Sequence, residues 1–153
     1  MPKVSLGKAI PDFKGRITNE LIIKFSDYKG QNIVIYFYPK DNTPGCTKEG
    51  EDFRDYFEDF KKNNTIIIGV SRDSVASHDK FTCKYNFPFQ LISDEDEKVC
   101  KLFDVIKEKS MYGKKYMGIE RSTFLINSEG KLLKEWRKVK VKGHVEEVLS
   151  SLN

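Results

Sequence analysis

Two short runs of β-branched and aromatic residues, Ile33–Tyr38 and Thr65–Val70, constrain this chain more than any other feature in it. Neither alternates with polar residues. A strand that is apolar at almost every position must be covered on both faces, and such strands belong to parallel sheets flanked by helices. Between the runs, Phe53, Tyr56, Phe57 and Phe60 recur at i, i+3, i+4 and i+7, which predicts one amphipathic helix from about Pro44 to Lys62. Pro44 suits the first turn of that helix, where its missing N–H leaves no bond unmade. Strand, loop, helix and strand thus follow one another, with Pro39–Pro44 as the loop.

The flanking segments extend this pattern. The stretch up to Phe25 is irregular or hairpin-forming, and Tyr28-Lys29-Gly30-Gln31 is a turn. A helix is expected near Ser74–Tyr85, closed off by Pro88, with a short strand at Phe89–Ile92. Ser93 with Asp96 makes a capping signature for a helix through Phe103. Ser122–Asn127 and Lys131–Arg137 form a hairpin around Asn127-Ser128-Glu129-Gly130, and a helix from about Gly143 to Leu152 ends the chain. Arg137–Lys142, where Lys alternates with Val, is expected to be a solvated strand edge. With no repeat or linker, residues 1–153 are expected to form one α/β domain, a mixed central sheet flanked by helices.

Charge narrows the partners. Lys and Arg number 27 against 23 Asp and Glu, a net charge of +4, so the surface is mixed and demands neither nucleic acid nor a membrane. Met1-Pro2-Lys3-Val4-Ser5 carries no apolar core, and no apolar run is long enough to span a bilayer. A cytoplasmic protein is expected, in a compartment that keeps thiols reduced. Cys46, Cys83 and Cys100 show no C-x-x-C spacing, so neither a metal site nor a disulfide framework is expected. His78 near Cys83 is too few ligands for a metal, and His144 reads as a helix-start or surface residue. Cys100 borders the stripe of Val99, Leu102 and Phe103 and reads as packing.

Cys46 is different, because it falls in the first turn of the helix that follows the first buried strand. Free backbone N–H groups and the positive end of the helix dipole favour a thiolate there. The dipole alone is too weak. Lowering a thiol from a pKa of about 8.5 to roughly 6 raises its ionised share at neutral pH from about 3% to about 90%, and requires about 3.4 kcal/mol. A helix terminus contributes about 0.3–1 kcal/mol, at best about 2. A cation has to come from elsewhere in the chain. Helical spacing also sets Cys46 on the face of Gly50, Phe53 and Phe57, so its sulfur should look into a pocket against the core. The plain alternative is a buried cysteine serving as a small hydrophobe.

Pro39-Lys40-Asp41-Asn42-Thr43-Pro44-Gly45-Cys46 has the P-x-x-x-T-x-x-C form of the peroxiredoxin active site. Tyr36-Phe37-Tyr38-Pro39-Lys40-Asp41 and Thr43-Pro44-Gly45-Cys46-Thr47-Lys48-Glu49 resemble the PrxQ branch, also called bacterioferritin comigratory protein. The resemblance continues through Gly69–Ser74, Phe87–Asp94, Gly118–Ile126 and Gly143-His144-Val145, nearly the whole chain. It implies a thioredoxin-like peroxiredoxin fold and a thiol peroxidase that needs no metal, flavin or haem. Residue by residue, it implies that Cys46 attacks the O–O bond of hydrogen peroxide or an organic hydroperoxide and becomes a sulfenic acid. Arg121 matches the family arginine beside the thiolate, Thr43 the threonine whose hydroxyl bridges sulfur and peroxide, and Pro39 the proline that shields the sulfur. Glu49 matches a glutamate that would orient the arginine. Taken one at a time, Arg121, Thr43 and Glu49 could be a surface charge, a turn residue and a first-turn acid.

Many members of the branch carry a resolving cysteine five residues after the first, where this chain has Glu51. Others resolve from the next helix, and Cys83 lies in that helix, 37 residues on (83 − 46). With Phe81 facing the core, Cys83 lies about 200° round the helix and faces water. In such relatives the cysteine directly follows the helix phenylalanine, whereas Thr82 intervenes here. The resemblance therefore implies an atypical 2-Cys enzyme, a monomer recycled by thioredoxin, glutaredoxin or another thiol. Its alternative is a 1-Cys enzyme reduced by an external thiol. Two other classes stay open: a thioredoxin-like disulfide oxidoreductase, disfavoured by the missing C-x-x-C, and a redox-sensing thiol module without turnover.

Overall fold

The computed structural model describes residues 4–152. They form β1 (Lys14–Arg16), β2 (Ile22–Lys24), β3 (Asn32–Phe37), α1 (Pro44–Asp55), α2 (Phe57–Lys62), β4 (Thr65–Ser71) and α3 (Val75–Tyr85). After these come β5 (Gln90–Ser93), α4 (Lys98–Leu102), β6 (Ile106–Met111), β7 (Lys114–Ile119), β8 (Ser122–Ile126), β9 (Leu132–Trp136) and α5 (His144–Ser150). Seven strands join one sheet in the order β2-β1-β5-β4-β3-β8-β9, and β6 and β7 pair separately. β3, β4 and β5 run parallel, while β8 lies antiparallel on the other side of β3. The sheet is mixed and flanked by helices, as the α/β pattern of the sequence requires.

β3 sits at the centre, and its side chains divide the core. Ile33, Ile35 and Phe37 face one cluster with Ile68, Val70, Phe103 and Phe124. Val34, Tyr36 and Tyr38 face the other, with Cys46, Phe53, Phe60 and Leu91. Period-two alternation across a strand covered on both faces accounts for the unbroken apolar run. The second cluster matters for function, because it floors α1. Tyr36 stacks on Phe53 at 4.5 Å, and the Phe87 ring lies where a Cβ on Gly50 would stand, 2.5 Å from its Cζ. Gly50 therefore brings α1 close to the segment after α3.

Several expectations need correction. The single helix over 44–62 breaks at Tyr56, whose φ of −99° and ψ of 8° start a new turn, so α1 and α2 are separate. The Ser93 cap is not used. Ser93 Oγ donates to the Asp73 carbonyl, and Asp94 instead accepts from the Val99 and Cys100 N–H groups with its two oxygens. Residues 137–142 form no strand, although the Val139 N–H bonds the Arg121 carbonyl at 3.0 Å. His144 does start α5 but is buried, with Nε2 2.7 Å from Thr123 Oγ1, and burial pushes its pKa down to about 4. The β6–β7 hairpin had no counterpart in the elements expected from sequence. Its turn holds Tyr112 and Gly113 at φ of 52° and 78°, a two-residue connection with both φ positive.

Candidate active site

β3 leads through buried Tyr38 into the loop before α1, and Thr43 stands at the N-cap with extended φ and ψ of −96° and 155°. Pro44, Gly45 and Cys46 make the first turn, as the fixed φ of proline favours. Cys46 is 2% exposed, with its side chain in the cluster beneath α1. Arg121, just before β8, reaches across to this turn. Its Nη2 donates to Cys46 Sγ at 3.4 Å and its Nη1 to Glu49 Oε1 at 2.7 Å. A Cβ on Gly45 would lie 3.1 Å from that Nη2, so a glycine there lets the guanidinium approach.

Three groups thus meet at one place: a sulfur, a fixed cation and a carboxyl. Burial opposes the Arg121 charge, but Glu49 and Cys46 more than offset this and hold its pKa above the ordinary value. Glu49 is fully buried. Burial drives its pKa up to about 7 against the pull of Arg121, and its Oε2 is the buried side-chain oxygen left without a partner among the described residues. Tyr36, beneath both acids, is held well above its usual range by burial first and then by Glu49 and Cys46. Lys109 of β6 is drawn below its ordinary value by burial and by Arg121, which places the hairpin beside the site.

Thr43 Oγ1 donates to the Lys40 carbonyl at 2.8 Å, which tightens the loop. Pro39 is half-buried where β3 gives way to the loop. Cys83 is exposed on α3, five residues after buried His78, and Phe81 packs inward as the helical register requires. Cys46, Cys83 and Cys100 are all free thiols, and Cys100 is fully buried among apolar side chains.

Sequence reasoning missed a second polar cluster behind the loop. Asp41 Oδ1 accepts from Tyr38 Oη at 2.6 Å, and Oδ2 accepts from Ser77 Oγ at 2.7 Å and lies 2.7 Å from His78 Nδ1. His78 Nε2 is 3.0 Å from the Ile92 carbonyl, and the Asp41 N–H donates to Asp73 Oδ2 at 2.9 Å. Both ring nitrogens of His78 thus face protein partners, and no group of three or more His, Cys, Asp or Glu that could hold a metal occurs among the described residues. His78 ties α3 to the loop that leads into α1 and Cys46. The sequence places Asp41 in the family-like stretch Tyr36–Asp41, but nothing in it pairs that residue with His78.

The AhpC/TSA family profile matches residues 6–134. The chain is 54% identical to peroxiredoxin Bcp of Bacillus subtilis over 149 residues, covering 97% of this chain and 95% of that one. A structure of Xanthomonas campestris peroxiredoxin Q superposes with a TM-score of 0.87 at 52% identity, covering 92% of this chain and 89% of that one. A Xylella fastidiosa PrxQ mutant reaches 0.92 at 46% identity, covering 99% and 97%. A profile match of that length, with relatives about half identical along almost the whole chain, makes this protein a member of the AhpC/TSA family and, within it, of the peroxiredoxins.

Proposed function

We propose that this thiol-dependent peroxidase reduces hydrogen peroxide and organic hydroperoxides with Cys46 as the attacking group and Arg121 as its cation. The observation that carries this reading is the 3.4 Å contact from Arg121 Nη2 to the buried sulfur at the start of α1. The sequence argument required a cation beyond the helix dipole, and a guanidinium with one donor on the sulfur and another on Glu49 meets that requirement. Cys46 thiolate attacks one peroxide oxygen in line. The S–O bond forms, the O–O bond breaks, sulfur is oxidised by two electrons, and the departing alkoxide or hydroxide takes a proton. Arg121 and the first-turn N–H groups stabilise charge spreading over the two oxygens. Thr43 Oγ1, whose proton lies on the Lys40 carbonyl, meets the peroxide O–H as an acceptor, and Pro39 keeps bulk water from the sulfur. Alkyl peroxide reduction is named for the Xanthomonas campestris bacterioferritin comigratory protein, which supports organic hydroperoxides as substrates here.

Cys83 resolves the sulfenic acid in this reading. Its thiol displaces water from Cys46, and the Cys46–Cys83 disulfide is reopened by a dithiol donor such as thioredoxin. Exposure suits Cys83 to both partners, and the C-terminal part of α3 unwinds locally to bring it across. A cytoplasmic monomer completes the proposal, and among the described residues no helix is long and apolar enough to cross a membrane. Stopped-flow mixing with hydrogen peroxide should show rapid consumption that vanishes in Cys46→Ser, and insulin reduction should stay blank. Persistence of consumption in Cys46→Ser would reject the assignment of the nucleophile. After one equivalent of peroxide, intact mass should drop by two hydrogens and a Cys46–Cys83 peptide should appear. A stable sulfenic acid in the wild type would replace the resolver with an external thiol.

A further inference from the structure

Arg121 stands between two buried acids and can balance the charge of only one. Its Nη1 meets Glu49 Oε1 at 2.7 Å and its Nη2 meets Cys46 Sγ at 3.4 Å. If both acids were ionised, the cluster would hold two negative charges against one positive, in a place where Glu49 is wholly buried and Cys46 nearly so. Uncompensated charge in such surroundings is expelled by moving a proton. The geometry indicates where the proton goes. Glu49 Oε2 has no donor within reach, so as a carboxylate oxygen it would be buried and unserved, whereas as a hydroxyl it loses little. Oε1 remains free to accept from Arg121 in either state.

We propose that Glu49 carries a proton on Oε2 while Cys46 is a thiolate and releases it when Cys46 becomes a sulfenic acid, so that the cluster keeps one positive and one negative charge throughout the reaction. The inference rests on Cys46 being the peroxide-reducing thiolate. Before reaction the charges are Arg121 positive, Cys46 negative and Glu49 neutral. Afterwards they are Arg121 positive, Cys46 neutral and Glu49 negative. The chemical balance closes: thiolate, hydroperoxide and the Glu49 carboxylic acid give sulfenic acid, alcohol and the Glu49 carboxylate. The proton required by the leaving oxygen is thus matched by one released inside the protein, and the guanidinium changes partner without changing charge. Glu49 acts through Arg121 and the sulfur, as a positioning residue that also stores a proton.

The surroundings favour this exchange. The charged and titratable groups facing the cluster are Arg121, Cys46 and Asp52 on α1, Tyr36 on β3, Lys109 on β6 and His144 on α5. Asp52 disfavours a second anion at Glu49, although Lys48 at 2.8 Å from Asp52 blunts its effect. Burial places the Glu49 carboxyl at about 7, so a thiolate beside it keeps the proton on and a neutral sulfenic acid lets it leave at about pH 8.

Proton counting in weakly buffered solution with an indicator dye tests the proposal. In a Cys83→Ser background, which stops the reaction at sulfenic acid, one equivalent of hydrogen peroxide is added at about pH 8, on the alkaline side of the Glu49 value. The Glu49 form should take close to no proton from solvent for each sulfur oxidised, and Glu49→Gln close to one. The glutamine keeps an acceptor for Arg121, so a purely geometric role would leave the count unchanged. Uptake of one proton with Glu49 present overturns the proposal while leaving the nucleophile assignment intact. Failure to form any sulfenic acid overturns the assignment itself. Should Glu49→Gln not fold, the infrared difference spectrum of oxidised minus reduced protein decides. A protonated-carboxyl C=O band should be lost on oxidation, and its absence from the reduced protein rejects the proposal.

Discussion

Oxidation of Cys46 by hydrogen peroxide is expected to slow by about 10²- to 10³-fold when Arg121 is replaced by Gln, the range for removing one fixed donor from a developing oxyanion. Arg121 supplies two effects through one group: a charge that favours the thiolate, and a donor aimed at the sulfur where the peroxide oxygens must lie. Arg121→Lys separates them. The ammonium keeps the charge but has one nitrogen with three diverging donors, and so cannot reproduce the fixed fork by which Arg121 reaches the sulfur and Glu49 Oε1 with different nitrogens. The lysine variant should therefore keep more thiolate than Gln yet recover only part of the rate. Iodoacetamide alkylation across pH reports the thiolate, and stopped-flow peroxide consumption reports the oxidation step. A glutamine variant within about threefold of wild type, against the loss expected here, would remove the guanidinium from the mechanism.

Much of this site was legible in the sequence because it is local. Ile33–Tyr38 had to be a strand covered on both faces, and the helix after it had to begin at Pro44, so Cys46 fell in a first turn. The seven-residue spacing to Phe53 put the sulfur over the core, where the structure has it. Arg121 was different. It lies 75 residues further along the chain, and no periodicity links it to Cys46; only the ordered motifs shared with a family suggested it. Asp41 lies within those motifs, but nothing in them points to His78, since the partnership depends on how α3 crosses the loop. The β6–β7 hairpin was hidden for a local reason: Lys107, Glu108 and Lys109 break any apolar alternation, and Tyr112 stands where a turn of this kind favours Asn or Asp. The α4 cap was misplaced because Glu97 adopts φ of 63°, which moves the helix start and makes Asp94 the acceptor.

Asp41→Asn is expected to destabilise the fold by about 3–5 kcal/mol, since it disturbs several buried hydrogen bonds at once and each buried group left unmet costs about 1–3 kcal/mol. Asp41 and His78 side chains are each 4% exposed, and the two oxygens of Asp41 serve Tyr38, Ser77 and His78 together. An amide turns one of those oxygens into a donor facing donors. Nε2 of His78 points at the Ile92 carbonyl, which only accepts, so that nitrogen carries a hydrogen, and the imidazole cannot also donate at Nδ1 without becoming a cation. Removing the carboxylate thus strands either a buried charge or an unmet polar group. Loss of 3–5 kcal/mol in a chain of this size corresponds to a Tm lower by on the order of 10 °C. Urea denaturation of wild type, Asp41→Asn, His78→Asn and the double variant should show the double costing clearly less than the sum, since the second change removes the partner the first left stranded. Additive costs would mean that the two side chains do not act as a pair. Because Asp41 lies five residues before Cys46 and His78 five before Cys83, the same pair ties the N-terminal half of α3 to the loop that leads into Cys46, while Arg54 Nη1 on the Tyr85 carbonyl and Tyr85 Oη on Asn42 Oδ1 hold its C-terminal end.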